Sequence, residues 1–187
     1  VDRLATNGSV TSKFTAQRST VAPAGFINSL LITSSAATSL AATDYYLLRQ
    51  AIEGFNTADF AFGSAGAQSV TMSFWVRSSL TGTFGGSLLN ASANRCYAFS
   101  YSISAANTWE YKTVTIAGDT TGTWATDNTV GLYVDWSLGA GASVVGTAGS
   151  WGSTVLRAPT GQTSVVGTSG ATFYITGVQL EAGSVAS

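Results

Sequence analysis

Apolar and polar residues alternate with a period of two through much of this chain, most clearly in residues 70–80. The apolar side chains of this segment share one side, and they are Val70, Met72, Phe74, Val76 and Leu80. The other side is polar except for the large ring of Trp75, two residues from the cation of Arg77. Successive side chains of a strand point to opposite faces, so the segment predicts a β-strand with one buried face.

The same alternation recurs at short, even intervals. Further strands are predicted at residues 11–18, 26–33, 44–53, 87–90, 95–103, 109–116, 129–138 and 172–180. In residues 44–53 both sides are half apolar, which predicts a strand covered on both faces. Gly177 interrupts the last strand and predicts a β-bulge. The one helical candidate is a short turn at residues 56–63, capped by Asn56 and ended by Gly63.

Two glycine-containing stretches separate these strands. Residues 81–86 predict a turn, and residues 139–170 predict a long irregular segment, with one edge strand near residues 153–157. Many short strands with turns between them and almost no helix are typical of an antiparallel β-sandwich. We therefore predict an all-β chain with minimal helix, a jelly roll by strand number, and a single domain over residues 1–187.

Composition argues against two classes of partner, nucleic acid and membrane. Charged residues make up 9% of the chain, against about 25% in an average protein, and the net charge is −1. The basic residues are scattered, which argues against nucleic acid. Residues 20–43 are uncharged, but Pro23, Gly25 and Asn28 interrupt them, so we expect no membrane insertion. A nearly neutral surface gives little colloidal repulsion, which favours work inside an assembly.

The residue inventory also limits the chemistry. The chain has no histidine and one cysteine, so a Ser-His-Asp or Cys-His mechanism, a disulfide within the chain and a thiolate metal site are excluded. Cys96 has two interpretations: a thiol whose pKa is lowered by Arg95, or a small buried side chain, which is the more common. A glycan-cleaving enzyme would need two nearby carboxylates, for which Glu53 and Asp135 lie on predicted strands.

Aromatic residues beside polar groups are the candidate ligand-binding residues. Trp75 and Arg77 lie on the wetter face of one predicted strand, and Tyr133 and Asp135 on that of another. If these strands are neighbours, the four side chains form a platform for the flat face of a sugar. The alternative is a face covered by residues 139–170 or by a partner subunit. Trp151 is a further ligand candidate, or else a plug over one end of the sandwich.

Four segments resemble a domain of bacteriophage virion proteins, mainly tail fibres and capsid-associated fibres of aquatic phages. They are Tyr45–Gly54, Val70–Arg77, Asn107–Ile116 and Phe173–Gly183, the last with a closing Gln-Leu-Glu-x-Gly motif. That domain is similar in turn to jelly-roll carbohydrate-binding modules. Because the chain begins at Val1 with no signal-peptide pattern, and more chain normally follows in this family, we expect a fragment or domain of a longer protein.

The resemblance implies a non-enzymatic structural or adhesion domain in the virion. Its expected partners are other virion proteins, further copies in a homo-oligomer, by analogy a trimer, and host-surface glycan. An alternative function is a carbohydrate-binding module of a secreted glycoside hydrolase. No cofactor is expected. Structural calcium is common in similar jelly-roll modules, with Asp2, Asp44, Asp59 or Glu181 as oxygen ligands, but no clustered motif supports it.

Overall fold

The computed structural model describes residues 4–186 and places the strands in two antiparallel sheets that pack face to face. In spatial order, sheet A contains β1 (Leu4–Gly8), β4 (Tyr45–Glu53), β9 (Val130–Ala140), β6 (Gly82–Asn90), β7 (Cys96–Ile103) and β11 (Trp151–Gly152). Sheet B contains β2 (Phe14–Ser19), β3 (Ser29–Ser34), β13 (Thr172–Ala182), β5 (Val70–Ser78) and β8 (Glu110–Ile116). The predicted all-β sandwich with jelly-roll architecture is confirmed.

Three 3₁₀ helices and one small parallel pair complete the described fold. The helices are Gly54–Asn56, Ala58–Phe60 and Ala142–Val144. The parallel pair consists of β10 (Val145–Gly146) and β12 (Ala158–Pro159). We call residues 145–159, which connect and include these two strands, the strap. Within residues 4–186 no helix is long and apolar enough to cross a membrane.

The core lies between the inward faces of the two sheets. From sheet B, β5 contributes Val70, Met72, Phe74 and Val76, all with no exposed surface. From sheet A, the Trp136 indole meets the Phe74 ring edge-on at 6.0 Å between ring centroids. Because the apolar side chains of β5 and β9 face each other, their polar side chains point outward in opposite directions.

Three local predictions are wrong in detail. Residues 82–86 form the first half of β6 and are not a turn. Glycine is needed there because the neighbouring strands approach closely: a Cβ on Gly85 would collide with the carbonyl oxygen of Phe99, and one on Gly86 with that of Asp135. Asn56 lies inside a 3₁₀ helix and does not cap it. The edge strand predicted near residues 153–157 lies instead at residues 151–152.

The bulge predicted at Gly177 is confirmed. The register between β13 and β5 shifts between Thr176 and Gln179, and Gly177 has a φ of +61°. A side chain at this position would be strained, and it would also press on the ring of Phe26, which lies 2.6 Å from an ideal Cβ. The shift keeps polar residues of β13 on the outer face of sheet B on both sides of the bulge.

Candidate functional site

The two predicted residue pairs lie on opposite outer faces of the sandwich. Trp75 and Arg77 belong to β5, which is hydrogen-bonded to β13 and β8 in sheet B. Tyr133 and Asp135 belong to β9, which lies between β4 and β6 in sheet A. The hypothesis of one platform built from all four side chains is therefore wrong, because the two strands share a core and not an outer face.

Trp75 starts an open group of aromatic side chains on sheet B. It is paired across the strands with Tyr111 of β8, and their ring centroids are 5.3 Å apart with an interplanar angle of 48°. Tyr111 keeps 44% of its surface exposed, and Trp75 is half-buried. Rings held side by side on a sheet lose little conformational freedom when a ligand binds.

Arg77 connects the Trp75–Tyr111 pair to two further aromatic side chains, Tyr174 and Trp109. Its guanidinium carbon lies 5.0 Å from the centroid of the Tyr174 ring, and its Nε donates to the carbonyl of Asn107 at 2.8 Å. Trp109 meets Tyr174 edge-on at 6.0 Å. We call these five side chains, Trp75, Arg77, Trp109, Tyr111 and Tyr174, the aromatic row.

Polar side chains with unused hydrogen-bonding capacity border the aromatic row. Ser73 on β5 is flanked across the sheet by Thr113 on one side and Gln179 on the other. Thr113 and Gln179 are both exposed, and neither side chain has a hydrogen-bond partner among the described residues. Exposed rings beside free hydroxyl and amide groups are the combination that a sugar requires, because its C–H faces are apolar and its hydroxyls are not.

The second predicted pair lies within an ion network on sheet A. Asp135 is fully buried, and it accepts hydrogen bonds from Nε and Nη2 of Arg49, both at 2.7 Å. Nη1 of Arg157 lies 3.4 Å from the same carboxylate. The pKa of Arg49 is raised, first by its hydrogen bonds to Asp135 and then by the charge of that group. Asp135 thus holds two guanidinium groups and does not itself face solvent.

Two tyrosine rings support these guanidinium groups. The guanidinium carbon of Arg49 lies 4.3 Å from the centroid of Tyr133, and that of Arg157 lies 4.7 Å from the centroid of Tyr45. Cation–π contacts of this kind orient the charged group as well as stabilising it. We call Arg49, Asp135 and Arg157 with Tyr45 and Tyr133 the arginine network.

The strap covers part of the outer face of sheet A. This agrees with the alternative prediction that residues 139–170 cover the face carrying Tyr133 and Asp135. The thiol of Cys96 donates to the carbonyl of Leu156 at 3.4 Å and accepts from its N–H at 3.3 Å. Burial raises the pKa of Cys96 above its usual value, and Arg95 is instead paired with Asp119. The interpretation of Cys96 as a thiol activated by Arg95 is therefore wrong, and the interpretation as a buried side chain is correct.

Trp151 closes one end of the sandwich. Its ring packs edge-on against Phe62, Tyr97 and Trp124 at 5.3 to 5.6 Å between centroids. Its indole N–H donates to the carbonyl of Ala117 at 2.6 Å. Because the ring is half-buried and its donor is used, the geometry favours the plug over a free ligand-binding ring.

The carboxylates do not form a hydrolytic pair on sheet A. Asp135 is aligned with Arg49, four residues before Glu53 on β4. At a rise of about 3.3 Å per residue this separates the two carboxylates by roughly 13 Å along the strand, more than the roughly 5 to 10 Å that glycosidases use. In addition, Asp135 is buried and bound to arginine.

Two grooves and the acidic residues add no further candidate for a catalytic or metal centre in the described part of the chain. One groove of about 370 Å³ opens beside β4 and β13, and one of about 490 Å³ lies between β1 and β2; no described residue lining either is titratable. Within residues 4–186 no three His, Cys, Asp or Glu side chains are grouped to hold a metal ion. Calcium at Asp44, Asp59 or Glu181 stays a prediction, and Asp2 lies outside the described residues.

The fold has counterparts among solved structures. The enzymatically active domain of tailspike protein 4 from bacteriophage CBA120 is 11% identical with a TM-score of 0.53, and the match covers 97% of this chain and 19% of that chain. The CBM22-1–GH10 modules of endo-1,4-beta-D-xylanase 10B from Clostridium thermocellum, complexed with xylohexaose, are 12% identical with a TM-score of 0.51, covering 100% of this chain and 27% of that one. No protein-family model and no curated protein matches the sequence. At these identities the likeness establishes the jelly-roll fold.

Proposed function

We propose that this chain is a non-enzymatic structural and adhesion module of a phage virion fibre, and that it binds surface glycan through the aromatic row. The observation that carries the proposal is the Trp75–Tyr111 pair, whose rings are 5.3 Å apart and in which Tyr111 is 44% exposed. In this proposal consecutive sugar rings of the glycan stack on the two neighbouring aromatic rings. Thr113 and Gln179 supply free hydrogen-bonding groups beside the rings.

Low charge and the resemblance to virion fibre domains support the virion setting. A chain with only 9% charged residues is suited to burial against other protein chains, since charged groups are depleted at interface cores. In this proposal the partners are other virion proteins and further copies of the chain, with a trimer as the expected homo-oligomer. Light scattering of the purified chain measures the oligomer, and mass spectrometry of purified particles tests the virion location.

The aromatic row is tested by glycan binding of matched variants. Trp75→Ala and Tyr111→Ser are compared with Phe55→Ala, which removes a ring that is 63% exposed and outside the row. A glycan array selects a ligand for the unmodified chain, and calorimetry then measures its affinity for each variant. We expect at least about 10-fold weaker binding for both row variants, since a lost anchor residue costs about 1 to 2 kcal/mol or more.

Two outcomes contradict the adhesion role. They are an array with no bound glycan, and equal affinities for Phe55→Ala, Trp75→Ala and Tyr111→Ser. Tyr111→Ser keeps the test valid if Trp75→Ala unfolds, because Tyr111 is the more exposed of the two rings.

A carbohydrate-binding module of a secreted glycoside hydrolase is the second candidate function. The similarity of fold to the xylanase modules favours it, at a TM-score of 0.51. The full reading frame separates the two candidates: a catalytic domain in the same frame supports the hydrolase, and fibre repeats or neighbouring structural genes support the virion.

A further inference from the structure

We propose that the arginine network is a second binding site, specific for an oxyanion, and that it takes the carboxylate or phosphate group of an acidic glycan. It lies on sheet A, on the face opposite the aromatic row. Binding of an uncharged sugar by the aromatic row and binding of an anion here are thus separable properties of the chain.

The network holds more positive than negative charge. Arg49 and Arg157 face the single carboxylate of Asp135, so one positive charge remains after pairing. The nearest acidic residues along β4 do not compensate it. Asp44 accepts hydrogen bonds from Ser9 and from the N–H of Ala41, and Glu53 lies four residues beyond Arg49. Within residues 4–186, Asp135 is the only acid paired with either arginine.

The unused donors belong to Arg157. Arg49 grips Asp135 with its Nε and Nη2, the edge of a guanidinium that matches the two oxygens of a carboxylate. Arg157 uses only Nη1, at 3.4 Å. Its Nε and Nη2 have no hydrogen-bond partner among the described residues, so the same edge of Arg157 is open for a second oxyanion.

Arg157 is held in place before any ligand arrives. Its backbone N–H donates to Val144 at 2.7 Å, and the next residue, Ala158, pairs with Val145 in the parallel pair of the strap. The ring of Tyr45 supports the guanidinium at 4.7 Å. The side chain is 17% exposed, which leaves it accessible but poorly screened by solvent. A preorganised, partly desolvated guanidinium favours bidentate binding of a carboxylate or phosphate over binding of a neutral sugar.

The test uses Arg157→Gln with Arg18→Gln as the matched control. Arg18 is exposed on the edge strand β2, so both variants lose the same charge. Calorimetric titrations use three probes: trigalacturonate, inorganic phosphate and a neutral trisaccharide of the same length. We expect Arg157→Gln to weaken binding of the anionic probe at least about 10-fold, as is typical for a charge-assisted bidentate contact. Arg18→Gln should change it less than about 2-fold, an exposed charge being screened by salt.

The probes also identify the source of the oxyanion. Binding of trigalacturonate alone supports a uronic acid, and binding of phosphate alone supports a phosphorylated glycan. The proposal is overturned if neither trigalacturonate nor phosphate binds at a probe concentration of about 10 mM. Equal binding by Arg157→Gln and Arg18→Gln also overturns it.

Asp135→Asn separates a binding role from a structural one. This change removes the negative charge and frees the edge of Arg49, so the anionic probe should bind at least as tightly as to the unmodified chain, provided that circular dichroism shows a folded protein. If the network served only to hold the strap, Asp135→Asn would abolish binding together with Arg157→Gln, and the proposal would fail.

Discussion

On the outer face of sheet B the aromatic side chains are half-buried or exposed, and Thr113 and Gln179 beside them have no hydrogen-bond partner among the described residues. On the outer face of sheet A the charged side chains are paired with one another beside the strap. Tyr111 on the first face is 44% exposed, and Asp135 on the second is fully buried. Both faces come from the same pattern of an aromatic residue two positions from a charged one. What distinguishes them is the neighbouring strands.

The difference lies in what each charged residue finds across the sheet. Arg77 is aligned with Tyr174 of β13 and forms no ion pair among residues 4–186. It stacks on the Tyr174 ring and donates to a backbone carbonyl. Asp135 is aligned with Arg49 of β4 and forms a bidentate pair. The pairing satisfies Asp135, so the donors left for a ligand on sheet A belong to Arg157. On sheet B the groups left for a ligand are the side chains of Thr113 and Gln179.

The largest effect expected on this comparison is that of Asp135→Ala. The change leaves the guanidinium groups of Arg49 and Arg157, which are only 20% and 17% exposed, without their common partner. We expect a loss of about 3 kcal/mol in the free energy of unfolding, as for other broken buried pairs, measured by urea denaturation.

The matched change on sheet B is Thr113→Ala, which should alter stability by less than about 0.5 kcal/mol, because Thr113 is exposed and its side chain has no hydrogen-bond partner within residues 4–186. A loss for Asp135→Ala as small as that for Thr113→Ala would show that the arginine network contributes nothing to stability.

Two further ion pairs extend the comparison to pH. Asp119, in the segment after β8, binds Arg95, the residue before β7, and is 2% exposed. Glu110 binds Lys112 within β8, with both side chains 17% exposed. Burial alone would raise the pKa of Asp119, but hydrogen bonds from Arg95 and Thr121 outweigh it and lower the pKa. The pKa of Glu110 is lowered in the same way, burial being outweighed by hydrogen bonds from Lys112 and from the N–H groups of Ala105 and Ser104.

A lowered pKa in the folded chain means that these groups stabilise it above their unfolded pKa values, about 3.9 and 4.3, and that this stabilisation is lost as the pH falls through the folded values. We expect Asp119→Asn to cost about 1 to 2 kcal/mol at pH 7 and to flatten the acid limb of stability below about pH 4. Glu110→Gln should cost less than about 1 kcal/mol, because solvent screens the pair. Urea midpoints from about pH 2 to 7, a range that includes the unfolded pKa values of both carboxyl groups, measure both variants. Equal losses of stability at acid pH would contradict the ranking.

Much of the fold is predictable because the sandwich buries one face of nearly every strand. Period-two alternation identifies β4, β5, β7, β8, β9 and β13 to within about two residues, the usual uncertainty at strand ends. The alternation does not identify a strand where close contact between strands requires glycine, because glycine-rich segments resemble turns. Gly85 and Gly86 resemble a turn, yet both are strand residues whose missing Cβ allows neighbouring backbone to approach. The strand β1 has too little apolar alternation to be recognised.

The site was only half predictable. Spacing along β5 and β9 identifies Trp75, Arg77, Tyr133 and Asp135 as outward residues, but it does not state which strands are neighbours. Arg49 lies 86 residues from Asp135 along the chain, and Arg157 lies 22 away. The alternation along β4 places Arg49 on the opposite face from the buried Leu48. This position could have indicated that Arg49 lies on the same outer face as the other site residues of sheet A. Arg157 follows an irregular segment that gives no such signal.

The smallest expected effect on stability is that of replacing Ser73, which tests whether the polar groups on the outer face of sheet B lack hydrogen-bond partners. Ser73 lies on the outer phase of β5 with no exposed surface, and its hydroxyl has no hydrogen-bond partner among the described residues. Ser78, on the same strand and also fully buried, donates to the carbonyl of Thr172 and accepts from Leu80. Because an unpaired buried hydroxyl costs free energy, Ser73→Ala should leave stability unchanged or raise it by up to about 1 kcal/mol, whereas Ser78→Ala should lower it by about 1 to 2 kcal/mol. Urea denaturation of the two variants measures the difference, and a loss for Ser73→Ala equal to that for Ser78→Ala would show that the polar groups on the outer face of sheet B are satisfied after all.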